Sequence, residues 1–152
     1  MNKRDTILNL IKGTESSGYI PAAFFMHFRP DHLEGQPAID RHLQFFHATG
    51  MDFLKIQYEQ ELPPSIPITK PEDWANVPPC SPDFFEPTLH IVRELVKAVK
   101  AEALIIKTKY SPFMWFKYLA DAEIVRAHFR ENPEAMKKGL EIFTDYVLTL
   151  AH

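Results

Sequence analysis

Cysteine and glycine are scarce in this chain, and long apolar runs are missing from it. The 152 residues include one cysteine, Cys80, and five glycines. A lone cysteine cannot form an internal disulfide, which favours a reducing compartment. The chain starts with the charged sequence Met-Asn-Lys-Arg-Asp, and it lacks an apolar run of about 18 residues. We therefore expect no signal peptide and no membrane span. We therefore expect a cytoplasmic protein.

An excess of basic residues is also lacking. The formal net charge is -3, whereas binding to nucleic acid usually requires a basic patch. Hydrophobic residues make up 45% of the chain and charged residues 24%, which is enough apolar material for one core. The composition therefore predicts a globular domain whose partner is a small-molecule substrate, with no binding to nucleic acid or to a membrane.

Proline, by contrast, is abundant. The chain has 13 prolines, and many of them lie between Pro63 and Pro87. Proline lacks an amide donor and fixes its own φ, so this stretch is predicted to form neither a helix nor a central strand. Because it also contains Trp74, Phe84 and Phe85, we expect an ordered excursion with apolar groups to bury, not a flexible linker.

Apolar residues recur at helical or strand spacing in the rest of the chain. Helices are predicted over residues 4–13, 37–50, 86–102, 114–120 and 122–131, and from Pro133 onward. Short, nearly continuous apolar runs predict strands over residues 19–28, 52–58 and 103–110. The resulting β-α-β-α-β-α order indicates an α/β fold with a parallel sheet that is covered on both faces.

Polar side chains gather where the three predicted strands end. His27 and Arg29 lie at the end of the first strand, Gln57 and Glu59 at the end of the second, and Tyr110 at the end of the third. In α/β folds, ligands bind beyond the carboxyl ends of parallel strands. We therefore predict that these side chains line one cleft.

Lys55 belongs to the same prediction. Side chains alternate along a strand, which places Lys55 and Glu59 on the face opposite to Leu54 and Ile56. Lysine is rarely buried without a partner, so Lys55 either faces the cleft or pairs with a structural carboxylate. Glu59 could equally be a solvated loop residue, and His27 could be a hydrogen-bonded histidine of the core.

The loop from His27 to His32 allows three interpretations. It can bind a metal, bind an anion, or simply be solvated. Zinc ligation by His27, Asp31 and His32 is disfavoured, because two histidines separated by four residues that include a proline are not a recognised ligand spacing. We predict no metal site there.

Six segments resemble one enzyme family in their order and spacing. They are MNKRDTILNLIKG, IPAAFFMHF, HLQFFHATGMDFLKIQYE, ITKPEDWANVPP, TKYSPFMWFKYLA and ENPEAMKKGLEIFTDYV. Together they are similar to the N-terminal half of the uroporphyrinogen decarboxylase (URO-D) superfamily, over essentially all of residues 1–152. The resemblance implies a partial TIM (β/α)8 barrel, with about three parallel strands and flanking helices and a cleft at the carboxyl ends of the strands.

The resemblance also implies a chemistry and the residues that perform it. In the decarboxylases, an aspartate after the second strand stabilises a cationic intermediate, and a tyrosine after the third strand supports that aspartate. Glu59 and Tyr118 stand at these two positions. No metal or organic cofactor is expected, because the protonated pyrrole of the substrate serves as the electron sink. Substrate contacts are expected from the remaining residues of the cleft: His27, Arg29, Lys55, Gln57 and Tyr110.

The segment from His27 to Asp31 departs from the family pattern. The decarboxylases carry an Arg-Gln-Ala-Gly-Arg signature there, and His27 and Asp31 replace both arginines, with Arg29 between them. Substrates with several carboxylates call for guanidinium partners, and Asp31 would repel them. We therefore expect a tetrapyrrole-type or related anionic substrate, with inefficient decarboxylation of uroporphyrinogen itself.

Two alternatives remain open. One is a methyltransferase of the same superfamily that works with a corrinoid protein, and the other is a non-catalytic half-barrel that serves binding or assembly. A complete barrel needs about 250 residues. We therefore expect this chain to form a homo-oligomer, to pair with a separate C-terminal half, or to belong to a longer protein. Phe25, Phe53 and Ile105 are then expected to be exposed residues of an inner barrel face.

Overall fold

The computed structural model describes residues 2–14, 18–57 and 66–151, which form six α-helices and two β-strands. The helices are α1 (Lys3–Lys12), α2 (Gly35–Thr49), α3 (Glu86–Val99), α4 (Pro112–Leu119), α5 (Ala122–Glu131) and α6 (Pro133–Ala151). The strands are β1 (Phe53–Lys55) and β2 (Leu104–Ile106), and two 3-10 helices span Pro30–His32 and Pro71–Asn76. The described residues divide into two compact units, the first comprising residues up to 57 and 86–108 and the second comprising 66–85 and 109–151.

Local sequence signals set the ends of the helices. The side-chain oxygen of Asn2 caps α1 by accepting the amide of Asp5 at 2.8 Å, and Asp121 caps α5 in a similar way. Gly13 and Gly50 end α1 and α2 with φ of 67° and 62°, a left-handed conformation that glycine adopts without steric cost. All six predicted helices are confirmed, and α5 has the predicted bounds.

The first unit is built on the pairing of β1 with β2. The two strands are parallel, as predicted, and Leu54 lies opposite Ile105. The core combines buried side chains of α2, β1 and α3 with residues that flank the strands: Ala38, Ile39, Phe46, Met51, Leu54, Ile56, Ile91, Leu95, Val99 and Ala103. Of the three residues expected to be exposed, Phe25 is 54% exposed, whereas Phe53 and Ile105 are half-buried.

The first predicted strand, over residues 19–28, is not confirmed. Within the described part of the chain, no strand ladder includes residues 18–29. Asp52 ties this segment to β1 instead: its amide donates to the carbonyl of Ala22 at 2.8 Å, and its carboxylate accepts the amide of Ala22 at 2.8 Å. The same carboxylate accepts the hydroxyl of Tyr19. The described residues therefore form a two-stranded sheet and not the three-stranded part of a barrel.

The second unit is built around aromatic side chains. Helices α4, α5 and α6 and the 3-10 helix Pro71–Asn76 bury Trp74, Trp115, Phe116 and Phe143. The indole N–H of Trp74 donates to Nδ1 of the buried His128 at 3.1 Å. Order in the proline-rich stretch is thus confirmed for residues 66–85, while Pro63 lies outside the described residues. The prediction that the stretch contains no helix is wrong at the 3-10 helix Pro71–Asn76, because proline is tolerated in the first turn of a helix. In the described ranges, none of the helices has the length and apolarity to cross a membrane.

Candidate functional site

The segment that ends in His27 and Arg29 is fixed by one buried ring. Phe28 is 8% exposed and packs edge-on against the rings of His42 and Phe45, with centroid distances of 4.9 and 5.9 Å. His27 and Arg29, which flank Phe28 in the chain, are both exposed.

A cavity of about 280 Å³ opens at this place, lined by Met26, His27, Phe28, Arg29, His32 and Arg41. Arg41 comes from α2, and its guanidinium lies over the ring of Phe28 at 5.4 Å from the centroid. A second cavity of about 540 Å³ shares His32 and Arg41 with the first. Two guanidinium groups and two imidazoles thus surround one cavity, a donor set that suits carboxylate or phosphate.

Asp31 supplies an internal anion beside this cavity. Its Oδ1 lies 2.9 Å from Nδ1 of His32 and 3.6 Å from Nε of Arg29. The hydrogen bond from His32 and the charges of His32 and Arg29 hold the pKa of the Asp31 carboxyl below its usual range. Asp31 is therefore ionised at neutral pH and competes with any external anion for the guanidinium of Arg29 and the imidazole of His32.

Gln57 anchors the segment through main-chain contacts. Its side-chain oxygen accepts the amide of Met26 at 2.9 Å, and its side-chain nitrogen donates to the carbonyl of Phe24 at 2.6 Å. The residue is 2% exposed. The side-chain amide of Gln57 therefore holds the segment that carries His27 and Arg29, and its predicted contact with a substrate stays a prediction.

His42 connects the same region to α2. Its Nε2 accepts the amide of Gln57 at 2.8 Å, and its Nδ1 lies 2.7 Å from the carbonyl of Ala38. A main-chain amide can only donate, so the proton of the neutral ring is on Nδ1. Burial, followed by the positive charges of Lys107 and Lys55, lowers the pKa of His42 below its ordinary value. Protonation would remove the acceptor of Gln57.

Acid should therefore destabilise the protein through His42. The unfolded chain binds the proton near the ordinary pKa of about 6.5. The native chain binds it at a lower pH. The contribution of the neutral His42 ring to stability is therefore complete above the ordinary pKa, and it is lost as the pH falls through the native pKa. Urea denaturation at pH values of about 7.5 and 5.5 should show a larger loss of unfolding free energy for wild type than for His42→Gln, which cannot titrate.

His47→Gln is the matched control for this prediction. His47 lies on the same helix, and its side chain is 58% exposed. The control variant should retain the pH dependence of wild type. If His42→Gln and wild type lost the same free energy of unfolding between the two pH values, the assignment of His42 as a buried neutral group would be refuted.

The ring of Phe25 contacts both Lys55 and His27, and His27 lines the cavity. Nζ of Lys55 is 5.5 Å from the centroid of the Phe25 ring, and that ring contacts the ring of His27 edge-on at 4.7 Å. Nζ donates to the carbonyl of Ile56 at 2.8 Å, and partial burial lowers the pKa of the ammonium group. The structure thus links Lys55 to His27 through the ring of Phe25, while Lys55 lines neither of the two cavities, and its predicted contact with a substrate stays a prediction.

Two further predicted site residues contact each other. Tyr110 and Tyr118 belong to the second unit, where their rings are 5.3 Å apart, so the structure brings this pair together. Glu59 lies outside the described residues. In the described ranges, no group of three or more His, Cys, Asp or Glu side chains is placed to hold a metal ion.

Arg41 is the residue that sequence reasoning missed. It follows Pro37 by four residues on α2, and both line the second cavity. Residues four apart share a helix face, so the sequence places Arg41 on a definite stripe of α2. The sequence of α2 does not indicate that Arg41 lies next to the loop from His27 to His32. The contact between Arg41 and the ring of Phe28 in the structure shows that it does.

Comparison with known proteins identifies a family. The model of the family described as uroporphyrinogen decarboxylase (URO-D) matches residues 43–152. The matched range includes Lys55, Glu59 and Tyr118, whereas His27 and Arg29 precede it. Searches of curated proteins and of solved structures find no significant match to this chain.

Proposed function

We propose, because the chain belongs to the uroporphyrinogen decarboxylase family, that it binds a small molecule with several carboxylates and promotes the loss of one of them as CO2. The observation that carries the proposal is the cavity between the loop from His27 to His32 and helix α2. Two arginines, Arg29 and Arg41, and two histidines line it. Guanidinium groups bind carboxylates in a bidentate manner, which provides orientation as well as affinity.

Arg41 compensates for part of what the family signature loses here. His27 and Asp31 stand where the decarboxylases carry arginines, and this leaves Arg29 alone in the loop. Arg41 approaches the same cavity from α2, so that two guanidinium groups are again available. With Asp31 paired to Arg29 and His32, the site suits a substrate with fewer carboxylates than uroporphyrinogen.

The catalytic roles follow from the family positions. Glu59 would stabilise the cation that forms when the substrate is protonated, and Tyr118 would support Glu59. Lys55, whose pKa is lowered by partial burial, would contact a substrate carboxylate. Breaking the carbon–carbon bond to the carboxyl group leaves an electron pair on the substrate, and a pyrrole-type ring that has been protonated can accept this pair.

Binding of benzene-1,3,5-tricarboxylate tests the carboxylate site. We expect the tricarboxylate to bind more tightly than the neutral triamide of the same shape, in isothermal titration calorimetry with the whole chain. Arg29→Gln and Arg41→Gln should each lower the affinity for the tricarboxylate by about fivefold, because exposed ion pairs contribute up to about 1 kcal/mol. Neither variant should change the affinity for the triamide.

Arg130→Gln is the matched control, since Arg130 is exposed on α5 and lines none of these cavities. It should bind the tricarboxylate like wild type. Equal affinities in wild type, Arg29→Gln and Arg41→Gln would contradict the site. The catalytic part is tested separately by conversion of uroporphyrinogen to coproporphyrinogen, which wild type should perform slowly. Glu59→Gln should abolish this residual turnover while tricarboxylate binding persists.

A further inference from the structure

A second cavity of interest lies in the second unit, between α4 and α5. It measures about 450 Å³ and is lined by Phe113, Lys117, Ala122, Val125, Arg126 and Phe129. This volume falls within the range of about 300–1,000 Å³ that is typical of small-molecule sites. None of the residues of the proposed carboxylate site lines it.

The apolar wall of the cavity is formed by aromatic rings. The rings of Phe113 and Phe129 are 5.8 Å apart, and the ring of Phe116 lies 5.7 Å from that of Phe129. Phe113 is 49% exposed, so an apolar surface remains open to solvent at this place. Exposed apolar patches of this kind mark binding sites more often than isolated exposed residues do.

Two cations stand at the edge of this wall. Lys117 follows Phe113 by one helical turn on α4, and Arg126 follows Ala122 by one turn on α5, so each cation shares a helix face with an apolar lining residue. Lys117 is exposed. Arg126 pairs with Glu123 at 2.8 Å, with side chains 58% and 77% exposed. An exposed pair of this kind is weak, so a ligand anion can share or replace Glu123.

We propose that α4 and α5 form a binding site for a small amphipathic carboxylate. Its apolar body occupies the cavity between Phe113 and Phe129, and its carboxylate meets Lys117 and Arg126. The charges select this occupant: among the described residues that line the cavity, two are cations and none is an acid. The proposal is independent of the proposed function, because it uses different residues and needs no reaction.

Octanoate and 1-octanol provide the test, since they share an apolar chain and differ in charge. In calorimetric titrations of the whole chain, octanoate should bind about tenfold more tightly than octanol, because charge-assisted contacts are made by octanoate alone. The double variant Lys117→Gln/Arg126→Gln should lose about this factor for octanoate and leave the octanol affinity unchanged. Equal affinities for the two ligands in wild type would overturn the proposal.

Two further variants locate the site. Ala122→Phe places a large ring in the cavity at the exposed first residue of α5, and it should abolish octanoate binding without loss of folded signal in circular dichroism. Arg130→Gln/Lys137→Gln removes two exposed cations that do not line the cavity and should bind octanoate like wild type. Octanoate binding that survives Ala122→Phe would overturn the proposal. The proposal would also be overturned if octanoate did not bind and if analytical ultracentrifugation gave a smaller mass for Ala122→Phe than for wild type. A second copy of the chain would then cover this face.

Discussion

Replacing Gln57 with methionine is expected to lower the free energy of unfolding by about 2–3 kcal/mol, because two main-chain groups lose their partners. Methionine has a similar volume but cannot accept the amide of Met26 or donate to the carbonyl of Phe24. Urea denaturation measures the change. Hydrogen exchange locates it, since the amide of Met26 should lose its protection while the amides of α3 keep theirs relative to global unfolding.

Gln44→Ala is the control for this change, because Gln44 is exposed on α2 and its amide contacts the side chain of Arg41. This variant should stay within about 0.5 kcal/mol of wild type. Because Gln57 holds the segment that carries His27 and Arg29, Gln57→Met should also weaken tricarboxylate binding. Unchanged stability with an equally protected Met26 amide would show that the segment is held by other contacts.

Replacing Gly139 with alanine should destabilise the protein by about 2 kcal/mol, although alanine is the better helix former by about 1 kcal/mol. A Cβ at this position of α6 would lie 2.8 Å from Cβ of Trp74 and 3.3 Å from Cε1 of Phe116. Both neighbours are buried, and the Cβ of Trp74 is next to its own backbone, so neither can yield without moving the core. Thermal denaturation followed by circular dichroism should show a lower melting temperature.

Lys138→Ala is the matched control on the same helix. Lys138 is exposed, and its replacement by alanine should change the free energy of unfolding by less than about 0.5 kcal/mol. A melting temperature of Gly139→Ala equal to or above that of wild type would mean that α6 can shift away from the 3-10 helix Pro71–Asn76 at little cost. The effect of helix propensity would then dominate.

The helices were predictable because their signals are local. Apolar residues at helical spacing, a capping aspartate and a terminal glycine lie within a few residues of the ends that they define, as Asp121 and Gly50 illustrate. The strands β1 and β2 followed in the same way from short apolar runs. The first predicted strand has the same kind of run, yet its amides and carbonyls are bound in part by the side chains of Asp52 and Gln57. An apolar pattern cannot distinguish such a tether from a ladder.

The candidate site was predictable in part for a similar reason. Polar residues at the end of an apolar segment drew attention to His27 and Arg29, and strand alternation drew attention to Lys55. The same alternation placed Gln57 on the cleft side. In the structure, its side-chain amide forms hydrogen bonds with the main chain of Met26 and Phe24. A side-chain amide that can bind a substrate can equally bind a backbone, and the sequence carries no signal that separates the two.

The sequence by itself determined the six helices, two parallel strands, the membership of a family and the concentration of polar side chains in the loop after Phe28. The tertiary structure alone decided that Arg41 completes the cavity, that His42 is held neutral and that Gly139 admits no side chain. The physical reason is the range of the interactions. Caps and apolar stripes act between residues a few positions apart, whereas these three features depend on close approach of atoms from elements distant along the chain.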